Sequence, residues 1–222
     1  MSYITAHQLS KVYGSGDAAV SALRDVSFQI GPGEFVGIMG ESGSGKSTLL
    51  SIMGAMNSPS SGSFAVDDID VYALRQEQRA DFRREFLGFV FQSFHLVPYL
   101  TVLENVMLPL TTIAMPAKIK RDKAAAALNS VGLATKAARL PNQISGGEQE
   151  RVAVARAIVN EPPVLLADEP TGNLDTKNTR DLMELLQRLN SNGMTVIMVT
   201  HSQECAAFAR RILRIKDGRL VE

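Results

Sequence analysis

The pattern of hydrophobic and polar positions changes rhythm along the chain. Short runs at residues 3–9, 26–30 and 35–39 read as strands, separated by glycine turns at Gly14, Gly16 and Gly31-Pro32-Gly33. Over residues 46–56 the spacing becomes helical, and after a loop at 57–62 a further β segment is expected near 64–71. Residues 93–160 carry helical stretches at 118–131 and 148–159 with almost no strand signal, so an inserted helical lobe is expected there. The last third returns to alternation, with an apolar strand at 164–167 and a second strand at 195–200. Between them lies a helix bearing Leu182, Leu185, Leu186 and Leu189 at i, i+3, i+4 and i+7. Asp217-Gly218 between 212–216 and 219–221 predicts a closing hairpin. Parallel strands joined by helices, an α/β domain, are the natural product of this order.

Composition narrows the setting. A chain of 222 residues accommodates one large domain, a core that can carry an inserted lobe, and not two ordinary cores. Acidic and basic residues balance at 23 each, so no net field draws the protein to nucleic acid or an anionic bilayer. The single cysteine, Cys205, has no intramolecular partner, sits in a predicted helix and is expected to serve packing in a reducing compartment. No run approaches the roughly 18 apolar residues of a membrane span, and residues 1–9 alternate apolar with polar instead of forming a signal-peptide core.

The chemistry concentrates in two places. Gly40-Glu41-Ser42-Gly43-Ser44-Gly45-Lys46-Ser47 matches GxxxxGK[ST] between a predicted strand and a predicted helix, the context that motif requires. Glycines let the backbone curl so that N–H groups point at phosphate oxygens, and the helix start adds partial positive charge. Nucleotide contacts are therefore expected from Gly40, Ser42, Gly43, Ser44, Gly45, Lys46, Ser47 and Thr48, with Lys46 on the β and γ phosphates and Ser47 on Mg²⁺. Downstream, the apolar run 164–167 delivers Asp168 and Glu169 at the carboxyl end of a buried strand, where α/β sheets bind ligands. Asp168 would hold Mg²⁺ and Glu169 would deprotonate the attacking water, although two acids after a strand are by themselves often only a helix cap.

To this point any phosphate-loop NTPase fits. Ile144-Ser145-Gly146-Gly147-Glu148-Gln149, followed by Glu150-Arg151-Val152-Ala153-Val154-Ala155-Arg156-Ala157, resembles the signature of ABC transporter ATPases and its helix. The resemblance covers nearly the whole chain. It implies a RecA-like P-loop NTPase core with an antiparallel β subdomain and an inserted helical subdomain. Residues 1–222 would then form one domain, with core and β subdomain at 1–92 and 161–222 and the lobe at about 93–160. It also implies ATP and Mg²⁺ as ligands, and a homodimer in which Ser145, Gly146 and Gly147 meet the γ phosphate of ATP held by the facing copy's Lys46 loop. By the same resemblance, Tyr13 matches the adenine-stacking aromatic, Gln92 the Q-loop Mg²⁺ ligand, Asp175 the D-loop residue that contacts the opposite subunit, and His201 the γ-phosphate switch. Each also has a plain reading: Tyr13 as a strand tyrosine, Asp175 as a helix cap, His201 as a surface residue. Where the familiar signature has Gln, this chain has Glu148, whose carboxylate would repel a γ phosphate. Ser145 and Glu148 also form an S-x-x-E capping box, which is expected to turn Glu148 back toward the Ser145 N–H.

Glu169-Pro170-Thr171-Gly172-Asn173-Leu174-Asp175 and Phe91-Gln92-Ser93-Phe94-His95-Leu96-Val97-Pro98 look like the lipoprotein-releasing and macrolide-export group, LolD-type and MacB-type, which also includes FtsE-type proteins. The resemblance implies an integral membrane permease on a separate chain, through it a periplasmic partner, and a place on the cytoplasmic face of the cell membrane. Residues 94–106 are expected to form part of the groove for the permease's coupling helix, or else simply core of the lobe; charge reversal at an exposed neighbour such as Glu104 would separate the two. A non-transport ABC clamp and a catalytically silent binding subunit compete with the ATPase. Against the clamp stands the lack of a visible second cassette, long coiled coil or zinc cysteines; against the silent subunit stand Lys46, Asp168, Glu169 and His201.

Overall fold

The computed structural model describes residues 3–221. Met1 and Ser2, the start of the amino-terminal run read above, and Glu222 lie outside the described residues. Strands β1 (Ile4–Tyr13) and β2 (Val20–Ile30) are followed by β3 (Phe35–Met39), α1 (Lys46–Met53), β4 (Ser61–Val66), β5 (Ile69–Asp70), α2 (Gln76–Phe86) and β6 (Leu87–Val90). Helices α3 (Val102–Met107), α4 (Ala117–Ser130) and α5 (Gly146–Ile158) then precede β7 (Val164–Asp168), α6 (Thr176–Ser191), β8 (Thr195–Val199), α7 (Gln203–Ala206), β9 (Arg211–Lys216) and β10 (Arg219–Val221).

Two sheets result. An antiparallel sheet has the order β2-β1-β4-β5, and a mixed sheet has the order β10-β9-β3-β8-β7-β6, parallel except for the terminal β9-β10 hairpin. Side chains on a strand point alternately to opposite faces, so the central strands feed two cores. Val164 and Leu166 of β7, with Ile197 and Val199 of β8, join α1 and the antiparallel sheet. Leu165 and Ala167, with Val196 and Met198, join α5, α6 and the helices α3 and α4. The mixed sheet is thus buried on both faces, which is why β3, β7 and β8 read as unbroken apolar runs.

Several expectations need correction. β1 and β2 run well beyond 3–9 and 26–30, because register shifts around Ala6, Leu9 and Lys11 break the two-residue period that a sequence reading follows. The segment expected at 64–71 is a hairpin, β4 and β5, turned by Asp67 and Asp68 at φ 49° and 61°. Helix 46–56 stops at Met53, with Ala55 left-handed at φ 52°. Helix α2 and strand β6 had no counterpart in the sequence reading: α2 buries only Phe82 among charged neighbours, and β6 is a four-residue edge strand. Cys205 is buried in the core on α7, as packing required.

Candidate functional site

The phosphate loop leaves β3 at the carboxyl edge of the sheet and enters α1. Gly43 and Gly45 hold φ of 77° and 106°, the left-handed region where a side chain is strained. A Cβ at Gly40 would fall 2.1 Å from the Ile215 carbonyl oxygen, and one at Gly45 would fall 2.4 Å from that of Ala22. The glycines are therefore required by backbone packed against backbone. The carboxyl-terminal hairpin braces the loop, since the Gly218 N–H donates to the Ser44 carbonyl at 3.0 Å; nothing in the sequence signalled that role. Lys46 is buried, and its Nζ donates to the carbonyls of Gly40 at 2.9 Å and Glu41 at 2.7 Å. Burial holds its ammonium below the usual lysine pKa, against the opposing fields of Glu169 and Asp168. The Ser44 hydroxyl is buried without a hydrogen-bond partner among the described residues.

Strand order assembles the rest. β8 lies between β3 and β7, with Val199 paired to Ile38 on one side and Asp168 on the other. Residues leaving the ends of these strands therefore converge on the loop. Burial raises the Asp168 carboxyl above the ordinary range, reinforced by neighbouring Glu169, while a hydrogen bond from Ser47 and the charges of Lys46 and His201 oppose the shift. Glu169 adopts φ 46°, unusual for a residue with a Cβ, and its N–H donates to the Val199 carbonyl at 3.0 Å. Its Oε1 meets His201 Nε2 at 2.7 Å. A cavity of about 210 Å³ is bounded by Ala22, Ser42, Gly43, Gly45, Lys46, Ser47, Thr48, Glu169 and His201. Ala22, on β2, was invisible to motif reading because alanine carries no chemical mark.

The other expected residues lie outside that lining. Tyr13, at the end of β1, is exposed, with the Lys11 ammonium 5.0 Å from its ring centroid and its hydroxyl accepting a hydrogen bond from Asn57. Gln92 follows β6, its side chain lies against Gly172, and its carbonyl accepts from Asn173 Nδ2 at 2.9 Å. Asp175 caps α6, accepting from the Asn178 N–H and Nδ2 at 2.8 Å each. Ser145 caps α5. The Ser145 N–H donates to Glu148 Oε2 at 2.9 Å, and the Glu148 N–H donates to Ser145 Oγ at 3.3 Å, so the capping box forms as the spacing predicted.

Residues 94–106 divide in two. Val102, Leu103, Asn105 and Val106 are buried core, and exposed Glu104 caps α3, accepting from Thr101 N–H at 2.8 Å and Thr101 Oγ1 at 2.7 Å. Reversing the charge of Glu104 would uncap a helix, so it does not separate the two readings. Concave surface occurs on two sides: Phe94, His95, Leu96 and Pro98 line a pocket of about 330 Å³ with Pro141, Asn142 and Gln149, and beside edge strand β6 a groove of about 470 Å³ is lined by Arg83, Arg84, Phe89, Phe91, His95, Pro109 and Arg156, among others. His95 is the member that the two share.

A glycine-rich loop entering a helix, a lysine at its end, and a strand-end aspartate beside the motif's serine define a phosphate-loop nucleoside triphosphatase. A family model described as "ABC transporter" matches residues 23–172. The chain is 44% identical over 219 residues to the ABC transporter ATP-binding protein MJ1508 of Methanocaldococcus jannaschii, covering 99% of this chain and 98% of that one. It is 46% identical over 217 residues to the macrolide export ATP-binding/permease protein MacB of Burkholderia pseudomallei, covering 96% of this chain but only 33% of that longer protein. Among solved structures, the ATP-binding cassette MJ0796, a dimer bound to ADP and phosphate in a post-hydrolysis state, superposes with a TM-score of 0.90 at 43% identity, over 99% of this chain and 97% of that one. The chain belongs to the ABC transporter family, and is an ATP-binding subunit and an ATPase.

Proposed function

We propose that this protein hydrolyses Mg²⁺-ATP in a site shared by two copies and drives a membrane permease of the lipoprotein-release or macrolide-export type. One observation carries the shared site: the Ser145-Gly146-Gly147 turn, a helix start suited to phosphate, is not among the residues that line the Lys46 cavity of its own chain. A second copy would supply it, and the related cassette MJ0796 is dimeric. In this reading Gly40, Ser42, Gly43, Ser44, Gly45 and Thr48 cradle the phosphates and Lys46 neutralises them. Tyr13 offers its exposed ring to adenine and Asp175 faces the other copy. Glu169 takes a proton from water as its oxygen attacks the γ phosphorus and the bond to the ADP oxygen breaks, with His201 fixing the carboxylate and contacting the γ phosphate. The oxygen donors of Ser47 and Asp168, which lie close enough to interact, suit a hard cation, with Gln92 as a further ligand. Mg²⁺ bound there would neutralise phosphate charge.

Residues 93–160 act in this proposal as the lobe that carries the turn, and the groove beside β6 receives the permease. No helix among the described residues is long and apolar enough to cross a membrane. In this proposal the permease brings the protein to the cytoplasmic membrane face. The kinship with MacB and the Glu169–Asp175 segment favour this permease type. The test is Glu169→Gln: ATP binding should persist, turnover should fall by about 10³ or more, and a nucleotide-dependent dimer should accumulate. Normal turnover in that variant would remove Glu169 from its role, and a monomer at saturating ATP would remove the shared site.

A further inference from the structure

Helices α5 and α6 approach each other at their starts without an intervening side chain. A Cβ at Gly147 would fall 2.1 Å from Asn178 Oδ1 and 3.0 Å from Asn178 Cβ, so the backbone of the signature turn rests directly on the Asn178 amide. The other end of that amide is fixed as well: Nδ2 donates to Asp175 Oδ2 at 2.8 Å, while the Asn178 main-chain N–H donates to Asp175 Oδ1 at 2.8 Å. One planar group thus spans two segments distant in sequence, the Ser145-Gly146-Gly147 turn and the Asp175 corner.

We infer that Asn178 is a positioning residue, which sets the spacing between the signature turn and Asp175 so that both meet the facing copy in register. The inference rests on the shared-site reading, in which both segments cross the same interface. Asn178 touches no nucleotide. Its side chain acts on the partner's ATP through Gly147, and its loss leaves the helix cap in place because that cap uses the main-chain N–H. Two substitutions separate shape from bonding. Asn178→Ala removes the amide and opens a gap behind Gly147. Asn178→Asp keeps the shape but replaces the Nδ2 donor with an oxygen facing Asp175 Oδ2, turning attraction into repulsion.

The experiment uses the full chain in a Glu169→Gln background, with ATP-dependent dimerisation followed by analytical ultracentrifugation, nucleotide affinity by equilibrium binding and melting by calorimetry. Asn178→Ala should weaken the dimer about tenfold and Asn178→Asp at least as much, while each protomer's ATP affinity stays within about twofold. Combining Asn178→Ala with Asp175→Ala should cost no more than Asp175→Ala alone, the non-additivity of residues that act through one contact. In the otherwise native chain, kcat should fall with KM little changed. Dimerisation as tight as the parent's would overturn the inference, as would loss of melting temperature and ATP affinity in parallel with dimerisation. A parent that stays monomeric would overturn the shared-site reading, and this inference with it.

Discussion

Glu169 Oε1 and His201 Nε2 stand 2.7 Å apart, although one residue follows β7 and the other follows β8. The contact joins the proposed base to the proposed phosphate sensor and fixes which way the carboxylate points. Glu169 is bent toward this position by its left-handed backbone at φ 46°. Replacing His201 with alanine releases the carboxylate and should cut turnover by roughly 10²–10³ while ATP affinity changes little, since the Lys46 loop is untouched. Steady-state hydrolysis beside equilibrium nucleotide binding checks this, and a matching loss of binding would contradict it.

Gly40 and Gly43 differ in what a methyl group would meet. At Gly40 it would strike the Ile215 carbonyl at 2.1 Å, which is β9 backbone and has little freedom to retreat. At Gly43 nothing among the described residues lies within 4 Å, and the penalty is the positive φ of 77°. Gly40→Ala should therefore cost about 1–3 kcal/mol by overpacking and abolish nucleotide binding. Gly43→Ala should cost about 1–2 kcal/mol through backbone strain. Urea unfolding with a fluorescent nucleotide titration measures both, and equal effects on binding at the two positions would count against the clash argument.

What could be read in advance was whatever local chemistry dictates. The phosphate loop, Asp168, Glu169 and the Ser145–Glu148 box depend on residue types at fixed spacing, and the structure forms them where the spacing put them. The convergence of His201 on Glu169 required knowing that β8 lies between β3 and β7, a sheet order that no local pattern records. Helix α2 escaped because tertiary contacts hold it, including Arg83 Nη1 donating to the Ala55 carbonyl at 2.9 Å, and a single buried phenylalanine gives no periodicity. Asn178 and Gly218 act through a side-chain amide and a main-chain N–H toward partners far along the chain, and neither leaves a motif.

Glu150 is fully buried on α5, and neither carboxyl oxygen has a hydrogen-bond partner among the described residues. Burial pushes its pKa from 4.5 up to about 8, with Arg156 opposing. Arg156 is itself held by donating to the carbonyls of His95 at 2.6 Å and Phe94 at 2.7 Å. With a raised folded pKa, the native state keeps a proton that the unfolded chain has already released. Its contribution is full below pH 4.5 and is lost as pH rises through about 8. Glu150→Gln keeps the shape and cannot ionise. Its stability advantage over the parent should widen between pH 4.5 and about 8 and stay constant above, read by urea unfolding across pH. A pH-independent difference would show that Glu150 finds a partner for its charge.

Glu148 presents the opposite case, a carboxylate with its charge well placed. The Ser145 N–H holds its pKa below the ordinary 4.5, and Lys136 Nζ, 3.5 Å from Oε1, adds to the effect. A depressed folded pKa stabilises the native state above the ordinary carboxylate range, and the benefit disappears as pH falls through the lowered value. Oε2 is occupied by the Ser145 N–H, and on the shared-site proposal this bond turns the charge from the place where a partner's γ phosphate would sit. Glu148→Gln keeps an acceptor for that N–H, so ATP-dependent dimerisation should stay within about threefold of the parent while the acid-side loss of stability vanishes. Glu148→Ala loses the reciprocal bond and should cost about 1 kcal/mol at neutral pH. Dimer affinity and acid unfolding of the two variants decide the matter. A glutamine variant that closed far more tightly with unchanged helix stability would show that the carboxylate does face the phosphate, and that the capping box yields when the two copies meet.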